Sequence, residues 1–598
     1  MILQKTPLYK GTYWSALALV ALISPASATE DEALELEPTI ISALRVPQAI
    51  STVTSAVTPL DTDRLQQQGL VELQNALNEA PGVFSTSTAG QTGAVSGLFI
   101  RGFTTSESLI VLDGIRMNGA SAQLGNFLSN SRTYDIGNLE VLRGPQAAIY
   151  GGEAMGGVIW METPRGHGKP QSTLNFEAGS FDSVSSYAKH EGSTDKLSYY
   201  LSGGIIETDN DASSSRYEQR STAMRFEAAI DENWTTGTTF RLTDSYYENG
   251  GSSDQYFDNT MATLYATGRI SEVWTTRLTL GHRKKSYDSV SSFPLHNDLD
   301  TTTLSADNEI RIHDDLRILG GGFFRHDEFV QDAYQSVDLN SDRYGLYTGA
   351  EWDPFEQLTT TAAIRWDDYD SHGNELTWKL GSAYRPNSGT TVRGNIGTAF
   401  RAPTYLDLYY ENGGSVKGNP NLESQTSLGW DLGVEQAIGT HHAAQVTFFR
   451  NLLDNAIDTS STTPTNKTGT SASDGVEFAF KGENLGPDLS YRLAWTHLHK
   501  SLKDQPRNTA NASLQWDATD KIMLGVGATH ITSRSWGGND IAAYTTTRVF
   551  ASYQLTENLK LHGRIENALD EEYELSNFSG TIVEGAGTGA YAGLTYTW

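Results

Sequence analysis

The sequence predicts a large closed antiparallel β-sheet of membrane-spanning type, preceded by a small α+β domain. Three observations carry that prediction. From about residue 166 onward, apolar and polar residues alternate with a period of two. Glycine (57), tyrosine (27) and tryptophan (12) are abundant, yet mean hydropathy is only −0.40; a membrane sheet needs apolar residues at only every second position. Beyond residue 28 there is no apolar run of the ~20 residues that a spanning helix requires. A soluble array of β-sandwiches shares this composition, so the pattern along the chain has to decide.

The chain opens with Lys5, Lys10 and a short apolar run, WSALALVALI (Trp14 to Ile23). Ala26-Ser27-Ala28 follows as a small-x-small cleavage pattern, so residues 1–28 read as a secretory signal peptide. Residues 29–45 read as a linker, which also holds the coupling box that the resemblance given below implies, and 46–165 as the α+β domain. In that domain Asp63 to Glu79 places Leu65, Leu70, Leu73 and Leu77 at helical spacing, and Pro81-Gly82 terminates the helix. LFIRG (Leu98 to Gly102) and LIVLD (Leu109 to Asp113) read as strands.

Residues 166–598 then read as the barrel. In Leu559 to Asn567, Leu559, Leu561, Gly563 and Ile565 share one face, while Lys560, His562, Arg564 and Glu566 share the other. Such a strand suits a wall between lipid and a wet lumen. The final strand carries Ala592, Leu594, Tyr596 and Trp598 on one face. Brief turns alternate with long polar stretches such as Glu248 to Asn259, read as loops on the outer side. At roughly ten residues per strand plus loops, the segment holds about twenty strands. A barrel of that size has a lumen wide enough to need a plug, and the N-terminal domain is the candidate.

The absence of cysteine excludes disulfide frameworks, thiol nucleophiles and cysteine metal sites. The net charge of −29 repels nucleic acid. The glycine-rich stretch LEVLRGPQAAIYGGEAMGGVIW, Leu139 to Trp160, lacks both the lysine–hydroxyl pair of a phosphate loop and a dinucleotide fingerprint. His441-His442 and the scattered acids show no catalytic spacing, and no enzymatic activity is expected.

Four motifs occur in order: LQNALNEAPGVF (Leu73 to Phe84), FIRGF (Phe99 to Phe103), LIVLDGIRMN (Leu109 to Asn118) and the glycine-rich stretch. FRAPTYLDLYYENGGSVKGNPNLESQTSLGWDLGVE (Phe400 to Glu435) and IENALDEEY (Ile565 to Tyr573) follow in the barrel. In these the chain resembles the TonB-dependent outer-membrane receptors over nearly its whole mature length. The resemblance implies a 22-stranded barrel with an N-terminal plug, active transport of a scarce large nutrient, and no required cofactor. It also implies TonB with ExbB–ExbD, outer-membrane lipid and lipopolysaccharide as partners, and a monomer. It places a TonB box at Glu37, Pro38, Thr39, Ile40, Ile41, Ser42 and Ala43, whose backbone would add as a strand to the partner's sheet. It assigns Arg101, Glu140, Arg143 and Gly144 to the plug core, with Glu140 and Arg143 in buried ion pairs to the barrel.

For cargo the nearest resemblance is to the cobalamin receptors, in length and in GNPNL (Gly418 to Leu422); ferric-siderophore receptors are the alternative. A haem receptor is disfavoured, because no histidine lies between FRAP and NPNL or before residue 165. The plug motifs count against a passive porin, and reception of an adhesin or colicin-like partner is a further rival. Gln91, Gln123, Asn126, Tyr246, Tyr247 and Tyr256 are the candidate cargo contacts. Asp209, Asp211, Asp244, Asp254 and Asp258 are the candidate ligands for Ca²⁺ in outer loops, in a spacing that is not an EF-hand.

Overall fold

The computed structural model describes residues 39–598 except 88, 119–123, 213–214, 252, 293, 333–335, 413–415, 486–487, 503–504, 537 and 579–580. The signal peptide, Glu37, Pro38 and Gln123 therefore lie outside the described residues.

Among the described residues, 22 antiparallel strands close into a barrel, from Gln171–Gly179 to Gly589–Thr597. The last strand pairs with the first, Thr597 opposite Thr173 and Tyr591 opposite Gly179. Closure leaves no strand edge without a partner, which is the condition for a sheet to cross hydrocarbon. Alternation assigns the faces: Leu278 and Leu280 are exposed on the outer wall, whereas Thr279 between them is buried toward the lumen. The strand Leu559–Glu566 shows the face division read from its sequence. Leu561 and Ile565 are exposed outside, and Lys560, His562 and Arg564 line a lumenal cavity.

One predicted loop is a correction. Glu248 to Asn259 belongs almost wholly to two paired strands, Trp234–Asn249 and Ser253–Ser271, with Gly250 and Gly251 in a turn between them. A strand needs about 9–11 residues to cross the hydrocarbon layer, and these have 16 and 19. Their upper halves stand in water, where polar residues suit both faces, so polarity there does not mark a loop.

The plug is built on a five-stranded mixed sheet, in the order Val57–Pro59, Asn138–Arg143, Gly157–Glu162, Leu109–Leu112, Ile115–Arg116. The glycine-rich stretch supplies its centre: the strand Asn138–Arg143, a turn, the helix Ala147–Tyr150 and the strand Gly157–Glu162. The single helix expected over Asp63 to Glu79 is two short ones, Thr62–Gln67 and Leu73–Leu77. Gly69 breaks it with φ +77°, and a Cβ there would overlap the side chain of Arg564 in the barrel. The left-handed backbone at Gly69 interrupts the helical pattern, and the wall residue fills the space that the missing side chain leaves. Leu65, Leu70, Leu73 and Leu77 nevertheless meet in one buried cluster. No helix among the described residues is long and apolar enough to cross a membrane; the chain crosses with strands.

Candidate functional site

A buried charge cluster joins plug to wall. Arg101 follows the strand Ser96–Ile100 with φ +50°, ahead of Gly102 at +90°. A non-glycine residue in that region is strained by about 1–3 kcal/mol, and the turn aims its guanidinium at the barrel. Arg101 Nη1 donates to Asp431 Oδ2 at 2.7 Å, and Nε and Nη2 donate to the two oxygens of Glu477 at 2.7 and 2.9 Å. Arg143 Nη1 donates to Glu477 Oε2 at 2.7 Å and to the Pro81 carbonyl at 3.1 Å. Asn395 Nδ2 satisfies the other Asp431 oxygen at 2.7 Å. Burial opposes the charge on Arg101, but Glu477 and Asp431 outweigh it and raise its pKa. On Arg143 burial prevails and lowers the pKa, against Glu477 and with repulsion from Arg101. Both guanidiniums remain charged at neutral pH. Gly144, at φ +83°, passes so close that a Cβ would stand 3.1 Å from Arg101 Nη1 and from Asp431 Oδ2.

Glu140 corrects the expectation attached to it. Among the described residues it pairs with no barrel cation. Its carboxylate accepts the amides of Ile41 at 3.2 Å and Ser42 at 2.9 Å, with Asn138 Nδ2 at 2.7 Å. Strand alternation accounts for this, because Glu140 and Arg143 stand three residues apart and project to opposite sides of the plug sheet. Glu140 therefore anchors the very segment predicted as the coupling box. Thr39–Ile40 pairs with Gln48–Ala49, Tyr150 Oη donates to the Ser42 carbonyl at 2.5 Å, and Ile40, Ala43 and Leu44 are buried in an apolar cluster. Arg45 then reaches Asp307 of the wall at 3.2 Å. Burial acts against its charge, and Asp307 with Tyr347 and Tyr150 holds the pKa raised. A backbone so occupied must undock before it can extend another sheet.

The candidate cargo contacts scatter. Gln91 is buried, and its Oε1 accepts the Asp211 amide at 3.0 Å, fastening an outer loop to the plug apex. Asn126 is buried in the helix Leu124–Ser129. Tyr247 is buried against Ala94 and Tyr217. Tyr246 and Tyr256 lie opposite each other with ring centroids 5.2 Å apart, on the face that carries Phe240 and Leu242 to the outside. That parity removes both from the lumen, a correction to their assignment. Asp244 and Asp258 are cross-strand partners on the same outer face, and Asp254 accepts from Tyr246 Oη at 3.1 Å. Asp209 and Asp211 lie elsewhere, on the outer loop; the Asp211 carboxylate accepts the Gly587 amide at 2.8 Å, and the Asp209 amide donates to the Phe181 carbonyl. Among the described residues no three His, Asp or Glu side chains stand together as a metal cage. The five aspartates do not converge.

Two cavities occupy one side of the lumen. The outer one, about 350 Å³, runs from the plug apex at Ser87 and Gln91 past Asn210, Tyr544 and Tyr573. The inner one, about 740 Å³, runs down between Asp63, Glu162 and Lys560. The outer volume sits at the small end of ligand sites. Of the candidate cargo contacts only Gln91 lines it; the rest of the lining is not legible in sequence, because it is drawn from loops and strands hundreds of residues apart.

Residues 163–568 match the family described as TonB dependent receptor-like, beta-barrel, and residues 49–158 match the TonB-dependent Receptor Plug Domain. The chain is 24% identical over 628 residues to vitamin B12 transporter BtuB of Vibrio vulnificus, covering 97% of this chain and 99% of that one. It is 26% identical to vitamin B12 transporter BtuB of Photobacterium profundum, covering 93% and 96%. Among solved structures it is similar to the ferric enterobactin receptor PfeA of Pseudomonas aeruginosa, with TM-score 0.79 and 16% identity over 91% of this chain and 99% of that one. It is also similar to the siderophore receptor PiuA of Acinetobacter baumannii, with TM-score 0.80 and 14% identity over 95% and 100%.

Proposed function

The chain belongs to the TonB-dependent receptors of the outer membrane, and we propose that it imports a bulky metal chelate, either a corrinoid or a ferric siderophore. It is a transporter of a scarce nutrient and not an enzyme. The observation that carries the reading is the docked coupling segment: residues 39–44 are held by Glu140 and Tyr150 on a plug inside the barrel. Cargo bound above the plug loosens that docking, TonB pairs with the released strand, and ExbB–ExbD supplies the force that rearranges the plug.

The corrinoid reading draws on the relatives named as vitamin B12 transporters, which match end to end. It also draws on the amides and hydroxyls that line the outer cavity beside its charged groups, Gln91, Asn210, Asn567 and Tyr544, which suit a ligand rimmed by neutral hydrogen-bonding groups. The siderophore reading draws on the solved receptors named for such cargo, whose fold this chain shares. Equilibrium binding of cyanocobalamin and of ferric enterobactin to the purified receptor, with and without Ca²⁺, separates them. Tight binding of one probe alone assigns the cargo class. A Ca²⁺ requirement that Asp244→Asn or Asp258→Asn abolishes would assign the ion to these aspartates. Binding of neither probe sinks the chelate reading, and uptake unchanged on deletion of residues 37–43 sinks the TonB mechanism.

A further inference from the structure

The barrel wall fastens the plug around most of its circumference. Arg225 Nη1 donates to the Thr163 carbonyl at 2.9 Å, Arg283 Nη1 to that of Met117 at 2.7 Å, and Arg325 Nη1 to that of Asn118 at 3.1 Å. Lys379 Nζ donates to Gln146 Oε1 at 2.7 Å, and Asn511 Nδ2 to the Asn78 carbonyl at 2.7 Å. The Arg101 cluster, with Asp431 and Glu477, lies within the same arc. The next five strands around the wall behave differently. They are Ile522–Ile531, Tyr544–Gln554, Leu559–Glu566, Gly589–Thr597 and Gln171–Gly179, adjacent in the barrel and spanning its seam. Among the described residues none of these strands makes a hydrogen bond or ion pair to the plug.

Both cavities lie against that sector. The outer one reaches Tyr544, Arg548 and Tyr591, and the inner one reaches Thr173, Lys560 and Thr595. Where they abut, Gly69, Tyr134, Glu177, Tyr187 and Arg564 border both. The Arg564 guanidinium fills the junction. It is ion-paired with Glu177 of the first strand, its Nε stands 3.2 Å from Glu566 Oε1, and it lies over the Tyr591 ring at 4.3 Å. Gly69 of the plug leaves the room it occupies.

We infer that cargo crosses along this unfastened sector, and that the Arg564–Glu177 pair is the gate between an outer and an inner chamber. The inference rests on the transport reading and adds to it a route and a gate. Opening any other sector strips barrel cations from plug carbonyls and leaves buried polar groups unpaired, each costly. Among the described residues, opening this one breaks no strand-to-plug hydrogen bond: Phe84 and Phe99 of the plug meet Ile531 and Tyr544 through apolar contact alone, and the Arg564 side chain is the group that stands in the junction. Arg564 can leave Glu177 while keeping Glu566, so the movement exchanges partners instead of stranding a charge. Only a modest tilt of the plug is then needed on this side, with the opposite bonds acting as the hinge.

The test is single-channel conductance of the purified receptor in a planar bilayer, in the cysteine-free background that the natural sequence provides. Arg564→Ala and the volume-conserving Glu177→Gln are each expected to raise conductance about tenfold over the parent, equivalent to lowering the barrier to ion passage by about 1.4 kcal/mol. The current is expected to be blocked by a thiol reagent when Thr173→Cys is added, and not when Thr377→Cys, inward on the opposite wall, is added. Asp367→Asn, which breaks the barrel's own Arg365–Asp367 pair, is expected to leave conductance at the parent level. Heat-modifiable migration on electrophoresis confirms that each barrel is closed. Parent-level conductance in both gate variants overturns the inference, as does block through Thr377→Cys or equal opening by Asp367→Asn. Conductance needs no cargo, so failure to bind cyanocobalamin or ferric enterobactin would count against the chelate reading alone.

Discussion

Replacing Glu140 by alanine should release the coupling segment from the plug. The carboxylate is fully buried and accepts the Ile41 and Ser42 amides at 2.9–3.2 Å. A hydrogen bond to a charged group contributes about 1.5–3 kcal/mol, so two at the low end contribute about 3 kcal/mol. Burial of Ile40 contributes a similar amount, about 1.5–3 kcal/mol, and continues to favour docking. Loss of the carboxylate alone thus shifts the equilibrium toward the undocked form by about a hundredfold, at 1.4 kcal/mol per factor of ten. Glu140→Gln keeps one uncharged acceptor and should shift it by about tenfold. The assay is maleimide labelling of Ser42→Cys, the sole thiol in the chain. Ser42 is fully buried and its hydroxyl has no hydrogen-bond partner, so the substitution removes nothing and the labelling rate reports undocking. Equal labelling rates in the parent, Gln and Ala backgrounds would refute the anchoring role of Glu140.

Other expectations follow from the same geometry. Glu477→Gln leaves Arg101 and Arg143 buried without their shared counter-charge and should destabilise the plug by about 3–5 kcal/mol, read as proteolysis of the plug at lower denaturant while the barrel stays closed. Gly144→Ala forces an L-residue into left-handed backbone and crowds Arg101 and Asp431; a loss of about 1–2 kcal/mol or more should appear in the same proteolysis curve. His372, in the outer turn at 370–372, is held to a pKa of about 4, first by burial and then by repulsion from Arg343. Its folded-state value lies below the unfolded 6.5, so the unfolded turn binds the extra proton between them. Local stability is full above pH 6.5 and falls by about 2 kcal/mol as pH drops toward 4, after allowance for the ring's partial exposure. Hydrogen exchange at the turn should accelerate over that window; a flat profile there would show that the imidazole is not kept neutral by burial.

Short-range periodicity was enough to announce a barrel. The alternation at Leu559 to Glu566 names the lipid face residue by residue, and the same faces stand in the closed structure. The plug motifs were equally legible, since Gly144 and the strands around it answer to local backbone demands. What could not be read was which residues meet across the lumen. Arg101 was recognisable, but Asp431 and Glu477 become its partners only once the wall closes and fixes their height and direction. Tyr246 and Tyr247 look interchangeable in sequence, yet a one-residue step sends one outside and the other against the plug. The helix expected to run through Gly69 ends at that residue's left-handed backbone, where Arg564 from the far end of the chain fills the space, and Glu140 turns from a wall partner into the anchor of the coupling segment. Periodicity is a property of neighbours along the backbone, whereas the cluster, the anchor and the unfastened sector exist only through the register in which the last strand meets the first.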